Sequence, residues 1–249
     1  MQCIVTCEHG GNRIPPRWRK LFESDSARSA LESHRGHDPG ALELAKRLAK
    51  AFNAPLFFST TSRLLIELNR TLGHPRIFSE FSRVLNESDR ETLIQEFYRP
   101  YREEVEQAIQ RASKSGPVLH LSIHSFTPVL DEKNRRTDIG LLFDPARQFE
   151  SRFCTDWKTS LRRAFPELAI HRNLPYRGTS DGFTTYLRTQ FPDEQYAGIE
   201  FEVNQKFPDG EKQRWSTIQQ GILQSLQATL LTTSPTRERG PTRGFSAHR

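Results

Sequence analysis

Cys3-Ile4-Val5-Thr6-Cys7-Glu8-His9-Gly10-Gly11-Asn12 is the stretch on which the fold turns. A short β-prone, apolar run closed by a polar turn with two glycines reads as a strand ending in a sharp bend. Downstream, Asp38-Pro39 opens a helix, with Asp at the N-cap and Pro at the first position. Leu42, Ala45, Leu48, Ala49 and Phe52 form its apolar face. The same alternation continues along the chain. Pro55–Ser59 and Leu64–Leu68 read as strands, and the capping box Ser88-Asp89-Arg90-Glu91 starts a long helix to about Ser113. Val118–Ile123 is a strand delivering His124-Ser125, and Ile139–Phe143 is another. Phe149–Phe165 is helical, Leu168–His171 and Ala197–Val203 are strands, and Glu211–Leu231 is a closing helix. Strands alternating with helices predict an α/β protein, a three-layer α/β/α sandwich on a mainly parallel sheet. Residues 1–231 are expected to form its single domain. Function in such folds collects beyond the carboxyl ends of the strands.

The net charge of +6 invites a nucleic-acid reading. The segment 232–249 answers it: four arginines against the single acid Glu238 supply half of that charge, in a Pro/Gly/Ser/Thr-rich context. Such a segment buries too little apolar surface to offset its ordering entropy and is expected to be a disordered basic tail. No nucleic-acid partner is therefore expected of the domain. Three cysteines without a CxxC pair exclude a disulfide framework and a sulfur-only zinc site. Free thiols, the lack of a basic and apolar leader, and the lack of a membrane-length apolar run point to a cytoplasmic protein.

The polar residues at the strand ends are chemically coherent. Glu8, His9 and Asn12 follow the first strand, and His34, His37 and Asp38 precede the first long helix. His124 follows the strand at Val118; Glu200, Glu202 and Asn204 mark the last. Two or three histidines, several carboxylates and no cysteine ligand suit a zinc hydrolase, where three protein ligands leave a position for water and a further carboxylate takes its proton. Asp38 reads equally well as a ligand or as a plain helix cap, and His34 and His37 read as solvated loop residues. Glu200 and Glu202 share one face of their strand, either as a catalytic carboxylate with a neighbour or as the wet face of an edge strand. Arginines bracket Leu64–Leu68 and precede Ile139, and each alone reads as a surface ion pair or as one arm of a carboxylate clamp. Asn173-Leu174-Pro175-Tyr176-Arg177-Gly178 reads as a turn, either plain or covering a substrate.

Taken together, these segments resemble the N-formylglutamate amidohydrolase family. The resemblance rests on Glu8-His9-Gly10-Gly11-Asn12-Arg13-Ile14-Pro15, His37-Asp38-Pro39-Gly40-Ala41, and Ser62-Arg63 through Asn69-Arg70. It continues with Ser122 to Pro128, Asp138-Ile139-Gly140, Asn173-Leu174-Pro175-Tyr176 and Glu202-Val203-Asn204-Gln205, in the family's order over residues 2–207. It implies a phosphorylase/hydrolase-like fold related to zinc carboxypeptidases and aspartoacylase-like deacylases. It also implies zinc-dependent hydrolysis of the amide of a small N-acyl acidic amino acid, N-formyl included. His9 and His124 then match metal ligands, with Asp38 as the third. Wider relatives place a Glu three residues after the first His, where this chain has Asn12, a poor ligand. Glu202 matches the catalytic base, with Arg136 beside it. Arg63, Asn69 and Arg70 match a substrate clamp, joined by Asn173 and Tyr176 of the turn. The rival reading is a non-catalytic module that binds an acidic metabolite or anion in an arginine-lined pocket.

Overall fold

The computed structural model describes residues 1–233. Six strands form one sheet: β1 (Gln2–Cys7), β2 (Leu56–Phe58), β3 (Val118–Phe126), β6 (Ile139–Leu142), β7 (Ile170–Arg172) and β8 (Tyr196–Asn204), in the order β2-β1-β3-β8-β6-β7. All neighbours run parallel except β6 against β8. The sheet is thus mixed but mainly parallel. A two-stranded ribbon, β4 (Val129–Leu130) with β5 (Lys133–Asn134), stands apart from it. The helices are α1 (Asp25–Glu32), α2 (Ala41–Ala51), α3 (Glu87–Leu93), α4 (Arg99–Ser113), α5 (Gln148–Ala164), α6 (Phe183–Gln190) and α7 (Lys212–Thr233). The tail expected from the sequence lies, from residue 234 onward, outside the described residues. Among the described residues no helix is long and apolar enough to cross a membrane.

The two faces of the sheet differ in chemistry. Val5, Cys7, Leu119, Leu121, Ile123, Ile199, Phe201 and Val203 point to one side, where they pack against α2, α5 and α7 around Trp157 and Trp215. The alternate residues Thr6, Glu8, His120, Ser122, His124 and Glu202 are buried and polar, and with a period of two they share the opposite side. Toward that face's far end Ile4, Val118 and Tyr196 pack against Val105, Ile109, Phe183 and Leu187 of α4 and α6. These are the three layers. Apart from Glu202, these groups bond one another, which makes their burial tolerable. Thr6 Oγ1 lies 2.8 Å from His120 Nε2, and His120 Nδ1 lies 2.7 Å from the Tyr196 hydroxyl.

Two expectations need correcting. Leu64–Leu68 is not a strand but a turn-rich segment, whose leucines and Ile66 centre a second core with Trp18, Phe22, Ile77, Leu93 and Tyr98. Buried irregular backbone must find partners. Here Ser79 and Ser82 both donate to the Leu64 carbonyl, and Glu67 N donates to Ile77 O at 2.9 Å. The helix expected from Ser88 begins at Glu87 behind the cap Asn86 and widens to π geometry over Ile94–Tyr98 before α4. Pro100 has no N–H for the Glu96 carbonyl, so the bonding register shifts there. Beyond the shift, Tyr98 and Arg102 reach the segment after β2: Tyr98 donates to Arg70 O at 2.7 Å and Arg102 to Leu68 O at 3.1 Å.

Candidate metal centre

The chain turns at His9 because Gly10 and Gly11 let it press against the segment after β2. A Cβ at Gly10 would lie 2.9 Å from Ser59 O, and one at Gly11 2.9 Å from Thr60 O. The close approach is therefore to the protein's own backbone. The same turn holds the loop before α2: Asp38 N donates to His9 O at 2.9 Å. Asp38 is not the cap of that helix. Gly40, with φ of 76°, occupies the cap position, and no side chain bonds there. The Asp38 carboxylate turns inward instead. Its Oδ2 lies 3.2 Å from His9 Nδ1 and 2.9 Å from His124 Nδ1.

His9, Asp38 and His124 are all buried, and their ligand atoms lie within 4.8 Å of one another. Ligands bound to zinc at about 2.0–2.1 Å in a tetrahedron would be about 3.3 Å apart, close to the spacings from Asp38 to each ring. The outer nitrogens support the same role. His9 Nε2 is held by Glu67, and His124 Nε2 lies 2.8 Å from Ser122 Oγ and 3.3 Å from Glu8 Oε2. Ser122 and Tyr101 in turn donate to Glu8 at 2.8 and 2.9 Å. A histidine whose Nε2–H is bonded to an acceptor keeps the Nδ1 lone pair for a metal. The donor set and its supports thus fit a divalent cation. We expect Glu67→Gln to weaken divalent-metal affinity by about 10–100-fold, read by competition with a chromogenic chelator. Unchanged affinity would remove Glu67 from this role.

The carboxylates divide by charge environment. Burial opposes ionisation of Glu8, Glu67 and Asp38, but histidine and arginine contacts win and hold all three below the ordinary carboxylate range. Burial likewise disfavours charging of His124, yet Asp38 and Glu8 raise its pKa well above the usual value. Glu202 goes the other way. Burial, offset in part by His124 and reinforced by Asp38, pushes it up to about 7. It stands directly across from His124 in the β3–β8 register, and its Oε2 is buried without a hydrogen-bond partner. Glu200 pairs instead with Ser122 in that register and accepts from Thr184 at 2.8 Å.

The remaining candidates fall into two groups. Arg63 donates to Asp38 Oδ1 at 3.2 Å and to Glu67 at 2.6–2.8 Å. That uses part of its five-donor fork. Asn69 accepts from Phe183 N at 2.7 Å, at the start of α6, and Arg70 donates to Asp181 O. Asn173 Oδ1 takes the amides of Phe143 and Gly178 at 3.0 and 3.1 Å and so shapes the turn that carries Tyr176. Arg136 is exposed, whereas Arg135 donates to the Tyr176 hydroxyl at 2.8 Å and stacks on that ring. Tyr176 is within electrostatic reach of Glu202. Asn12 donates to Leu31 O at 3.1 Å, away from the histidines. Asn12→Ala is accordingly expected to cost about 1 kcal/mol of stability and to leave metal stoichiometry, measured by elemental analysis, unchanged.

Glu8, Ser122, Glu67 and Tyr101 were not singled out as a support shell from sequence. Glu67 carried a signal, a lone acid in an apolar run. Tyr101 carried none, since its i+4 spacing matches ordinary core.

A family model described as N-formylglutamate amidohydrolase matches residues 1–207. The chain belongs to that family. Among solved structures it is similar to gene product Atu2144 from Agrobacterium tumefaciens, with 26% identity and a TM-score of 0.77 over 93% of this chain and 91% of that one. It also resembles an N-formylglutamate amidohydrolase from Ralstonia eutropha JMP134, with 16% identity and a TM-score of 0.66 over 93% and 95% of the two chains. No curated protein matches it in sequence. The fold shared with these two structures is the mainly parallel α/β architecture described above.

Proposed function

We propose that the protein is a zinc-dependent amidohydrolase that cleaves the amide of a small N-acyl acidic amino acid. The observation that carries this reading is the buried Glu202 carboxylate, unpartnered at Oε2 and facing His124 of the His9–Asp38–His124 cluster. His9 Nδ1, Asp38 Oδ2 and His124 Nδ1 would hold the cation. When bound, zinc supplies Lewis-acid polarisation of a carbonyl and acidifies a water molecule. Glu202 accepts the water's proton at its free oxygen and returns it to the leaving amine nitrogen. A base needs a pKa near the working pH, and burial provides that here. Tyr176 and Arg135 stand over the site as donors for a carbonyl or carboxylate of the substrate. Arg63 keeps donors free beyond those it spends on Asp38 and Glu67 and serves as the clamp beside the ligands.

The deciding experiment is elemental analysis of purified protein joined to a hydrolysis screen of N-acyl amino acids. About one zinc per chain with turnover of an acidic substrate is expected. Bound anion without metal, and without turnover on adding zinc, would favour the non-catalytic module instead.

A further inference from the structure

Four charged residues of α4, Arg99, Arg102, Glu103 and Glu106, recur at the i, i+3, i+4 and i+7 spacing of one helix face. They line a cavity of about 320 Å³, within the range of small-molecule sites, together with Leu72, Tyr98 and Tyr186. Neither the His9–Asp38–His124 cluster nor Glu202 contributes to its wall. Arg102 is only 6% exposed. Its guanidinium lies 4.1, 4.7 and 5.0 Å from the ring centres of Phe183, Tyr186 and Tyr98. Nη1 donates to Leu68 O and Arg70 O at 3.1 and 3.4 Å. Nε and Nη2 have no acceptor among the described residues, and neither is sealed from solvent. These two atoms form the guanidinium edge that takes a carboxylate through two parallel bonds. Burial opposes the charge and lowers the Arg102 pKa. The aromatic faces offset part of that cost, and no carboxylate stands within ion-pair distance, among the described residues, to offset the rest.

The acids of the same face are in the matching position. Neither Glu103 nor Glu106 has a cationic partner among the described residues. Glu106 spends one oxygen on the Tyr186 hydroxyl, at 3.1 Å. The cavity is therefore bipolar: two guanidiniums and two carboxylates share it without pairing off. A net anion would meet the two acids and a net cation the two arginines, so a molecule carrying both charges fits best. We propose that the cavity is a binding site for a free α-amino acid with an apolar side chain. Its carboxylate lies on Arg102 Nε and Nη2, its ammonium reaches Glu103 and Glu106, and its side chain rests against Leu72, Tyr98 and Tyr186. The site stands apart from the metal ligands and does not depend on the reaction proposed there.

The test titrates the full-length protein by calorimetry with three probes: phenylalanine, 3-phenylpropionate, which lacks the ammonium, and 2-phenylethylamine, which lacks the carboxylate. Wild type should bind phenylalanine at least about tenfold more tightly than either analogue, the contribution of one charge-assisted contact. Glu103→Gln with Glu106→Gln, which keeps an acceptor for Tyr186, should bring phenylalanine down to the level of 3-phenylpropionate. Arg102→Lys, which keeps the charge but loses the fork, should weaken phenylalanine by at least about tenfold. Thermal melts check that the variants fold, and the glutamine pair decides by itself should Arg102→Lys not fold. Chelator-treated wild type should bind phenylalanine with the same affinity; loss of binding there would place the amino acid on the metal and overturn the proposal. So would equal binding of the three probes, no phenylalanine binding in the millimolar range, or undiminished binding by the folded glutamine pair.

Discussion

Glu202→Gln is expected to cut turnover by about 10²–10⁴-fold without changing metal content, and to make the metal-free protein more stable at pH 8. The two effects share one cause. Burial raises the Glu202 pKa from 4.5 to about 7. A folded state that holds a proton more tightly than the unfolded state loses stability as pH rises from the unfolded value through the folded one. At 1.36 kcal/mol per pKa unit, the ionised carboxylate costs the metal-free fold up to about 3 kcal/mol at pH 8. Glutamine escapes that cost but must bury an amide, which takes back about 1–3 kcal/mol if its donors go unpaired. The net gain should be at most about 2 kcal/mol at pH 8 and should shrink toward pH 5, where Glu202 is already protonated in the fold. Urea unfolding of chelator-treated wild type and variant at the two pH values reads this directly. Equal stability offsets at both would mean that Glu202 ionises as an ordinary carboxylate. Full turnover by the variant would remove it from the role of base.

What could be read from the chain, and what could not, follows from the range of the interactions involved. The strands β1, β3 and β8 and the helices α2 and α5 were legible because each carries a local period and a punctuating Gly or Pro. Leu64–Leu68 has the composition of a strand, yet its backbone is satisfied by Ser79 and Ser82 far along the chain, and no local pattern reports that. The histidines stood out by residue type at strand ends. Periodicity left Glu200 and Glu202 on one face; the family resemblance favoured Glu202, and the register sets that residue across from His124. The choice of Arg135 or Arg136 against Tyr176 depends on the direction of one side chain in a loop. The alternation His120-Leu121-Ser122-Ile123-His124 already announces a strand with a polar buried face, and its partners Glu8 and Tyr101 come together only once the sheet forms.

Asp38→Asn should be the most damaging single change in the ligand set. We expect metal affinity to fall at least about 100-fold, since a neutral amide is a poor zinc donor. The metal-free protein should also lose about 3–5 kcal/mol, the cost of stranding buried charge. Asp38 faces His9, His124 and Arg63, while Glu8 and Glu67 occupy the far sides of the two rings. With both rings protonated the three carboxylates balance three cations, and the substitution leaves one buried positive charge unanswered. The pH dependence has a definite sign. Contacts with the histidines and Arg63 depress the Asp38 pKa against the effect of burial. That contribution is therefore present above about 3.8 and is lost as pH falls through the folded value. His124 is raised, so its contribution is complete below 6.5 and fades as pH climbs through its folded value. The deficit of the variant should be greatest between about pH 5 and 6.5 and smaller at pH 8 and above, where the rings can shed their protons. Denaturant titrations of both proteins across that range decide the matter. A helix cap predicts something quite different, because asparagine caps a helix as well as aspartate does: almost no loss, no pH dependence, and no effect on the metal. Such a result would return Asp38 to the start of α2 and leave the two histidines without their third ligand.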